Sequence, residues 1–389
     1  MSDTTARLRD QWASPADVST ILMVIGGDVV QKAFAQGTGT IYTPVCFSFG
    51  CVAYAFVALV SVIGHGRLLP EPDYPAKVIN LESGYSRENK NWVVGRLLRD
   101  IETSIARRTP LRDNGIRISV FEALKNPNGR AGFSWSHIHY VGLIFIAVQL
   151  ALAVVPIVLH RDWSVMLITG AGTVLVQLTG VLPQWRVEKL PNRQKSQANF
   201  ALTSGNGSND IIVILGRGRC LNLEEMAASA SPRNGRPWEK LEWLSTYKEY
   251  PVGDPRVATR RVRESRYFRG LPLGFWITRI TCSALSLLWL LLLINVAATG
   301  NNSWYLLGVG ATGMFQNGWL AAVERPSKQR NLPIDLIETI RTKKVMDGLM
   351  DFEVTYGRAR PLLEEFFPGK LKANELKWWN GDFEPDKLL

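Results

Sequence analysis

The chain has 389 residues, of which 46% are hydrophobic, and its formal net charge is +11. Its four cysteines show neither zinc-ligand nor disulfide spacing, which excludes a disulfide scaffold and a zinc-finger module. The basic residues lie between long apolar runs, so the charge indicates membrane topology and argues against nucleic-acid binding.

Lysine and arginine are distributed unevenly along the chain. Residues 65–137 contain 12, residues 184–273 contain 16 and residues 324–389 contain 12, whereas the two short links around Arg161 and Asn302 contain one between them. Because positive residues are retained on the cytosolic side of membrane helices, we predict that the three long segments are cytosolic. Both termini are then cytosolic too. The expected location of the protein is the membrane of the endoplasmic reticulum or the plasma membrane.

Apolar runs of about 20 residues are long enough to cross a hydrocarbon layer of about 30 Å. After a polar arm over residues 1–17, residues 18–64 contain a weak span, 18–36, and an uncharged span, 41–64. They are predicted to form a hairpin with its turn at residues 37–40. Residues 138–183 and 274–323 predict a second and a third hairpin.

The other segments have the patterns of soluble α/β protein. Apolar runs and alternation predict strands at residues 77–81, 116–122 and 211–215. Helical periodicity predicts helices at residues 89–102, 221–230, 238–250, 333–352 and 360–367. Each segment supplies only one or two strands, so we expect residues 65–137, 184–273 and 324–389 to combine.

The predicted fold class is therefore an α-helical membrane protein with about six transmembrane helices in three hairpins. A cytosolic α/β domain is assembled from the long loops and the C-terminal helical tail. The lipid bilayer is the first expected partner, and a cytosolic protein or a phosphorylated ligand of the α/β domain is the second. No nucleic acid and no cofactor is expected.

Two glycine-rich motifs resemble phosphate-binding sequences. Residues 308–313 have the spacing G-x-G-x-x-G, but they lie inside the sixth apolar run, where small residues favour close helix packing. The second motif follows a predicted strand and precedes a predicted helix, so helix-terminal amides and two guanidinium groups there would bind an anion. Its third glycine is missing, and the alternative is a tight structural turn. The candidate anion-binding residues are Gly216, Arg217, Gly218 and Arg219.

Asp28 and Lys32 are an acid and a base four residues apart inside the first apolar run. This spacing and order favour an ion pair on one helix face. Ionisable groups within a membrane span are costly and point to function. The alternatives are a pair that neutralises itself and faces the bundle, and a helix that lies partly in the membrane interface.

Three of the four histidines, His65, His137 and His139, fall at the predicted cytosolic edge of the membrane. Three imidazoles are enough ligands for a transition metal. No E-x-x-H pattern or acidic partner accompanies them, and histidine is also a common boundary residue. We therefore predict no metal site, with these three as the weak candidates.

Several short sequences resemble those of a fungal family of multi-spanning integral membrane proteins. They are residues 27–32, 47–50 with 53–54, 84–89 and 92–96, and the resemblance covers most of the chain. It implies a fungal endomembrane protein, sometimes encoded near genes of specialised metabolism, and it implies no catalytic residue.

Two functions stay open from the sequence. The first is a multi-pass membrane protein whose cytosolic domain binds a partner or a ligand. The second is a membrane-embedded enzyme that acts on a lipophilic substrate at the cytosolic face, in fungal specialised metabolism. A transporter is less favoured, since no internal repeat appears.

Overall fold

The computed structural model describes residues 16–111, 115–125, 135–229, 232, 242–250, 260–297 and 303–381. The chain forms two compact units from alternating segments. The helical unit comprises Met1–Pro70, Gly132–Lys189 and Ala230–Val323, and the α/β unit comprises Glu71–Ala131, Leu190–Ser229 and Glu324–Leu389. Residues 230–273, which we predicted to join the α/β domain, therefore group with the helices.

The helices and strands have the following bounds in chain order. The helices are α1 (Ala16–Gly37), α2 (Gly50–Val60, continued by a π turn at Ser61–His65), α3 (Trp92–Arg108), α4 (His137–His160), α5 (Ser164–Val181), α6 (Gln184–Lys189), α7 (Leu223–Ala228), α8 (Leu273–Ala297), α9 (Ser303–Ala322), α10 (Val345–Tyr356), α11 (Arg360–Phe366) and α12 (Ala373–Trp379). The strands are β1 (Lys77–Asn80), β2 (Ser86–Glu88), β3 (Ile116–Ala123), β4 (Phe200–Thr203), β5 (Asp210–Leu215), β6 (Ser245–Tyr250), β7 (Arg260–Ser265), β8 (Tyr267–Phe268), β9 (Leu271–Pro272) and β10 (Ile334–Thr342).

Three helices among the described residues are long and apolar enough to cross a membrane. They are His137–His160, Ser164–Val181 and Leu273–Val296. The apolar helix Gly50–His65 is shorter. Length and composition therefore support three of the six predicted spans.

The six long helical segments of this unit pack in a closed ring. Neighbours follow in the order α1, α2, α8, α5, α4, α9 and back to α1, and α5 also contacts α9. Residues 43–49, which connect α1 to α2, are buried and non-helical. We call residues 43–49 the return segment. The predicted span over residues 41–64 is wrong in its first part, because the helix begins only at Gly50.

The return segment runs through the ring in an extended conformation. A Cβ atom on Gly180 would lie 2.0 Å from Thr43 Oγ1, and one on Gly172 would lie 2.4 Å from the Phe47 ring. Four residues of the return segment thus advance as far as eight residues of α5, about 12 Å. This is about 3 Å per residue, close to the rise of a β-strand.

The return segment makes α1 and α2 run in the same direction. Gly26 on α1 packs against Gly50 on α2, and further along both helices the rings of Phe34 and Tyr54 stack at 4.8 Å. From the first contact to the second, the residue number rises on both helices. In a hairpin it would rise on one helix and fall on the other. The first predicted hairpin is therefore wrong.

Residues 37–42 lie at the same end of the helical unit as the start of α4 and the end of α6. Lys189 Nζ donates to the Thr38 carbonyl at 2.7 Å, and Arg186 Nε donates to that of Gly39 at 2.8 Å. Thr40 Oγ1 lies 3.2 Å from His139 Nε2. The turn at residues 37–40, which we predicted on the opposite side from His139, is thus at the same end.

The helical unit also contains two small antiparallel pairs, β6 with β7 and β8 with β9. The helix that we predicted over residues 238–250 is wrong from Ser245 onward, since β6 occupies this part. The two tyrosines of this stretch, Tyr247 and Tyr250, are three residues apart, which is a helical spacing, but pairing with β7 gives the stretch its extended structure.

The α/β unit is built on one six-stranded sheet with the order β10, β3, β5, β4, β1, β2. Only β3 and β5 are parallel. All three predicted segments contribute strands to this sheet, although residues 230–273 group with the helices instead. Helices α10 to α12 cover one face of the sheet with a core that includes Ile118, Val213, Leu349 and Phe352. Helix α3 lies against β5.

The tail differs from its prediction. Residues 334–342 form β10 instead of the start of a helix. A β-bulge between Leu336 and Glu338 shifts the register against β3. Such a bulge interrupts the alternation by which a strand is recognised in a sequence.

Candidate functional site

A cleft of about 330 Å³ opens in the α/β unit at the carboxyl ends of the parallel strands β3 and β5. Ligands of α/β proteins commonly bind at this end of the parallel strands. The cleft is lined by Leu81, Glu82, Gln197, Asn199, Leu215, Arg217, Phe352, Tyr356 and Arg358. These residues come from all three segments of the unit, so the site exists only in the folded protein.

One side of the cleft is apolar and aromatic. Leu215 ends β5, and the rings of Phe352 and Tyr356, one turn apart on α10, stack at 5.1 Å. The Tyr356 hydroxyl donates to Glu338 Oε2 at 3.2 Å. Partial burial and this neighbouring carboxylate raise the pKa of Tyr356 above its usual value. Tyr356 therefore stays a neutral phenol at physiological pH.

Two arginines lie on the polar side, and each is paired with a carboxylate. Arg217 Nη1 lies 2.9 Å from Glu122 Oε1, and Arg358 Nη1 lies 2.9 Å from Glu82 Oε1. The arginine side chains are 61% and 42% exposed. Exposed ion pairs of this kind contribute at most about 1 kcal/mol. An anion with several oxygens can therefore compete for both guanidinium groups.

The turn at Gly216, Arg217, Gly218 and Arg219 contributes only Arg217 to the cleft lining. Its backbone holds Arg217 in the left-handed region at φ +43°, followed by Gly218 at +73°. The amide of Gly216 donates to Asn199 Oδ1 at 2.9 Å, and that of Arg219 donates back to Gly216 at 2.8 Å. These donors are therefore engaged within the protein.

The prediction that helix-terminal amides at this turn would bind an anion is wrong, because they do not form part of the turn. Helix α7 begins later, at Leu223, and Asn222 caps it by accepting from the Glu225 amide. Glu224 and Glu225 occupy its first turn. An anion here would meet two carboxylates, so the guanidinium groups of the cleft are the remaining anion-binding groups.

The ion pair predicted on the first helix is present. Lys32 Nζ lies 2.8 Å from Asp28 Oδ2, and the side chains are 31% and 66% exposed, respectively. Both neighbours of α1 in the ring contact its other faces, where Val30, Ala33 and Phe34 are buried. The pair thus faces outward, contrary to the alternative in which it faces the bundle.

The three histidines are not arranged as metal ligands. His65 and His137 are exposed, whereas His139 is fully buried. His139 Nδ1 accepts from the Ser136 amide at 3.2 Å, and Nε2 lies 3.2 Å from Thr40 Oγ1. With both ring nitrogens hydrogen-bonded, His139 is a structural residue. No group of three metal-ligating side chains occurs within the described ranges.

A second polar cluster of the α/β unit was not apparent from the sequence. The Tyr74 hydroxyl donates to Glu102 Oε2, and Arg117 forms a two-point pair with Asp210 at 2.6 and 2.9 Å. Burial raises the pKa of Glu102 to about 7, although the Tyr74 hydrogen bond and Arg117 lower it. The negative charge of Asp210 also raises the pKa of Glu102. Glu102 therefore titrates near neutrality.

The chain matches no known family model, no curated protein and no solved structure.

Proposed function

We propose that this protein is an integral membrane protein whose cytosolic α/β unit binds a phosphorylated ligand. The observation that carries the proposal is the cleft at the carboxyl ends of β3 and β5, with an aromatic wall and two exposed arginines. A planar guanidinium group forms two parallel hydrogen bonds with phosphate oxygens. The wall of Phe352 and Tyr356 suits the apolar or aromatic part of the same ligand.

The apolar composition of the helices and the path of the chain support a membrane location for the helical unit. Five helices, α1, α4, α5, α8 and α9, cross the bilayer, and the return segment with α2 forms a re-entrant loop. Non-helical backbone at membrane depth is tolerated where protein surrounds it, and the return segment is buried. The basic segments place the end with residues 37, 65, 137 and 189 in the cytosol.

This topology replaces the prediction that both termini are cytosolic. Because α1 and α2 are parallel, α1 approaches the cytosolic end from the opposite side of the membrane. The N-terminal arm contains two arginines, Arg7 and Arg9, against three aspartates, Asp3, Asp10 and Asp17. With only two positive residues, the arm is retained in the cytosol less strongly than the three long segments, which carry 12, 16 and 12.

Binding of inorganic pyrophosphate to the full-length protein in detergent tests the proposed ligand class. We expect pyrophosphate to raise the unfolding temperature of the wild type, because a ligand that binds only the folded state stabilises it. Arg217→Met and Arg358→Met should each abolish most of this shift. Arg219→Met is the matched control, because Arg219 is exposed on the same turn but lies outside the cleft lining. Equal shifts in all four proteins would contradict the proposal.

A membrane-embedded enzyme is the second candidate, and the return segment favours it. Intramembrane binding sites are commonly formed where a helix is interrupted at mid-depth. Comparison of the metabolites of a deletion strain with those of its parent tests this candidate. Loss of one lipophilic product would favour the enzyme, particularly if the arginine variants of the cleft restore that product.

A further inference from the structure

A short β-hairpin formed by β8 and β9 lies immediately before α8, one of the helices that are long and apolar enough to cross a membrane. Its turn consists of Arg269 and Gly270. Residues 266–270 are exposed in succession, with Tyr267 at 64% and Phe268 at 53%. The hairpin therefore presents two aromatic rings and two arginines at the start of this helix.

The hairpin belongs to the end of the helical unit that the proposed topology places in the cytosol. Leu273, the first residue of α8, packs against Val187 of α6 and Leu244. Further along α8, Arg279 Nη2 donates to the Ile63 carbonyl in the π turn at 3.1 Å. Because α6 and the π turn both lie at the cytosolic end, the hairpin is level with the cytosolic surface of the bilayer.

The turn conformation indicates that Arg269 is present for its side chain. Arg269 has φ +49° and Gly270 has φ +78°, the left-handed values of a tight two-residue hairpin turn. Asparagine or aspartate usually occupies the first of these positions, because a left-handed backbone disfavours most other side chains. The Arg269 guanidinium carbon lies 5.5 Å from the centre of the Phe268 ring. Trp276 Nε1 on α8 donates to the Phe268 carbonyl at 2.9 Å and fixes the hairpin on the helix.

The two arginines of the hairpin differ from those of the cleft in their charge partners. Arg217 and Arg358 are each paired with a carboxylate, whereas neither Arg266 nor Arg269 has an acidic partner among the residues that the structure describes. The cytosolic leaflet carries a negative surface charge from its anionic lipids, which attracts basic residues beside a membrane helix. Aromatic side chains next to such arginines lie at the level of the lipid headgroups.

We infer that this hairpin binds an anionic phospholipid of the cytosolic leaflet. The guanidinium groups of Arg266 and Arg269 bind the headgroup oxygens, since a planar guanidinium forms two parallel hydrogen bonds with a phosphate or a carboxylate. The rings of Tyr267 and Phe268 lie against the glycerol and the upper acyl chains. This inference rests on the proposed membrane location of the helical unit, and the lipid site is separate from the cleft of the α/β unit.

Native mass spectrometry of the full-length protein in detergent, with equal amounts of phosphatidylserine and phosphatidylcholine, tests this inference. We expect the wild type to retain phosphatidylserine about 30-fold more than phosphatidylcholine, because each arginine beside an anionic lipid contributes about fivefold. Arg266→Gln combined with Arg269→Asn should retain the two lipids equally. Asparagine before glycine is the favoured sequence for this turn, so the variant should keep its fold.

Arg161→Asn is the matched control. Arg161 is also exposed and also left-handed, at φ +53°, but it lies in the link between α4 and α5, at the opposite end of these helices. The control should keep the preference of the wild type. No preference in the wild type, an unchanged preference in the double variant, or an equal loss in Arg161→Asn would overturn the inference.

Tyr267→Ser separates the aromatic contribution from that of the charges. An uncharged ring buries apolar surface against either lipid, so its loss should lower the retention of both and leave their ratio unchanged. A change of the ratio as large as that of the double arginine variant would contradict the assignment of headgroup binding to the arginines. Release of the lipid by an equal concentration of soluble glycerophosphoserine would contradict a membrane lipid as the ligand.

Resistance to alkaline carbonate extraction, measured on the same proteins in membranes, distinguishes the two levels of the argument. Extraction of the wild type would contradict the membrane proposal and the lipid site together. A resistant wild type without a preference for phosphatidylserine would contradict only the lipid site.

Discussion

The two units of this protein bury extended backbone in different ways. Strand β5 in the α/β unit lies between β3 and β4, and its backbone groups pair with theirs. In the helical unit, the return segment pairs with side-chain amides that project from apolar helices. Asn317 accepts from the Cys46 amide at 3.0 Å and donates to its carbonyl at 2.9 Å. Gln177 makes the same two bonds with Thr43, at 3.1 and 2.9 Å.

This difference decides how much each element depends on single residues. A strand in a sheet has backbone partners that every sequence supplies, so its own sequence needs only to be apolar and of the right length. The return segment depends on particular side-chain amides. Two further ones are Gln316, which donates to the Pro44 carbonyl, and Gln149, which donates to the Phe47 carbonyl. Substitutions in the return segment's partners and in β5 test this contrast.

Asn317→Leu should have the largest effect. It removes both bonds to Cys46, which leaves the buried amide without this partner and the buried carbonyl with only the weak Cys51 thiol donor, 3.8 Å away. Each such group costs about 1–3 kcal/mol, so we expect a loss of about 4 kcal/mol in the free energy of unfolding. Thermal unfolding of the purified protein measures it. Asn295→Leu is the control, because Asn295 is exposed and bonds to its own helix. A loss in Asn317→Leu no greater than in the control would contradict the role of the amide.

Gly313→Ala should destabilise the protein by about 3 kcal/mol, at the upper end of the cost of overpacking. A Cβ atom at this position would lie 1.8 Å from the Phe47 carbonyl oxygen, so the return segment would have to move. Gly308→Ala, on the same helix and in the same G-x-G-x-x-G motif, has no atom within 4 Å. It should be neutral or stabilise by about 1 kcal/mol through helix propensity. If both alanine variants unfold at the same temperature, the close approach at Gly313 is absent.

Ile212→Val tests the sheet side of the comparison. Ile212 is fully buried in β5, and the change removes one methylene group while all backbone pairs remain. We expect a loss of about 1 kcal/mol, typical of this substitution in a core. Urea denaturation followed by circular dichroism gives the value. A loss as large as that of Asn317→Leu would remove the contrast between the two elements.

Glu102 predicts a pH dependence in the α/β unit. Its folded-state pKa is raised from 4.5 to about 7, so the folded protein binds one more proton than the unfolded chain between these values. Stability should therefore fall as pH rises from 4.5 to 7 and level off above. Glu102→Gln, which keeps a polar side chain beside Tyr74, should lose this component. Unfolding temperatures of both proteins across this range test it, and parallel curves would show that Glu102 does not contribute.

The sequence predicted the sheet better than the return segment, for a physical reason. Strands β1, β3 and β5 stand in polar surroundings, where a short apolar run has one interpretation. Residues 41–64 form one continuous apolar run, and composition does not distinguish buried strand from buried helix within it. Pro44 and the isolated amides of Gln149, Gln177 and Asn317 were the signals of an extended path.

The cleft was only partly predictable. Arg217 stood out because glycines flank it between a strand and a helix. Arg358, Glu82 and the aromatic pair of α10 come from other segments of the α/β unit, and the sequence contains no pattern that brings them together. The outward position of Asp28 and Lys32 depends on which face of α1 meets its neighbours, which their spacing alone does not determine.

The central claim is that the return segment makes α1 and α2 parallel, and the position of the two termini tests it most directly. Glycosylation acceptor sites on long spacers are fused before Met1 and after Leu389, with a site inserted at Asp162 as the luminal control. We predict modification of the N-terminal and control sites and none of the C-terminal site. Three complete hairpins would place both termini on one side, so the same modification state at the two termini would contradict the return segment.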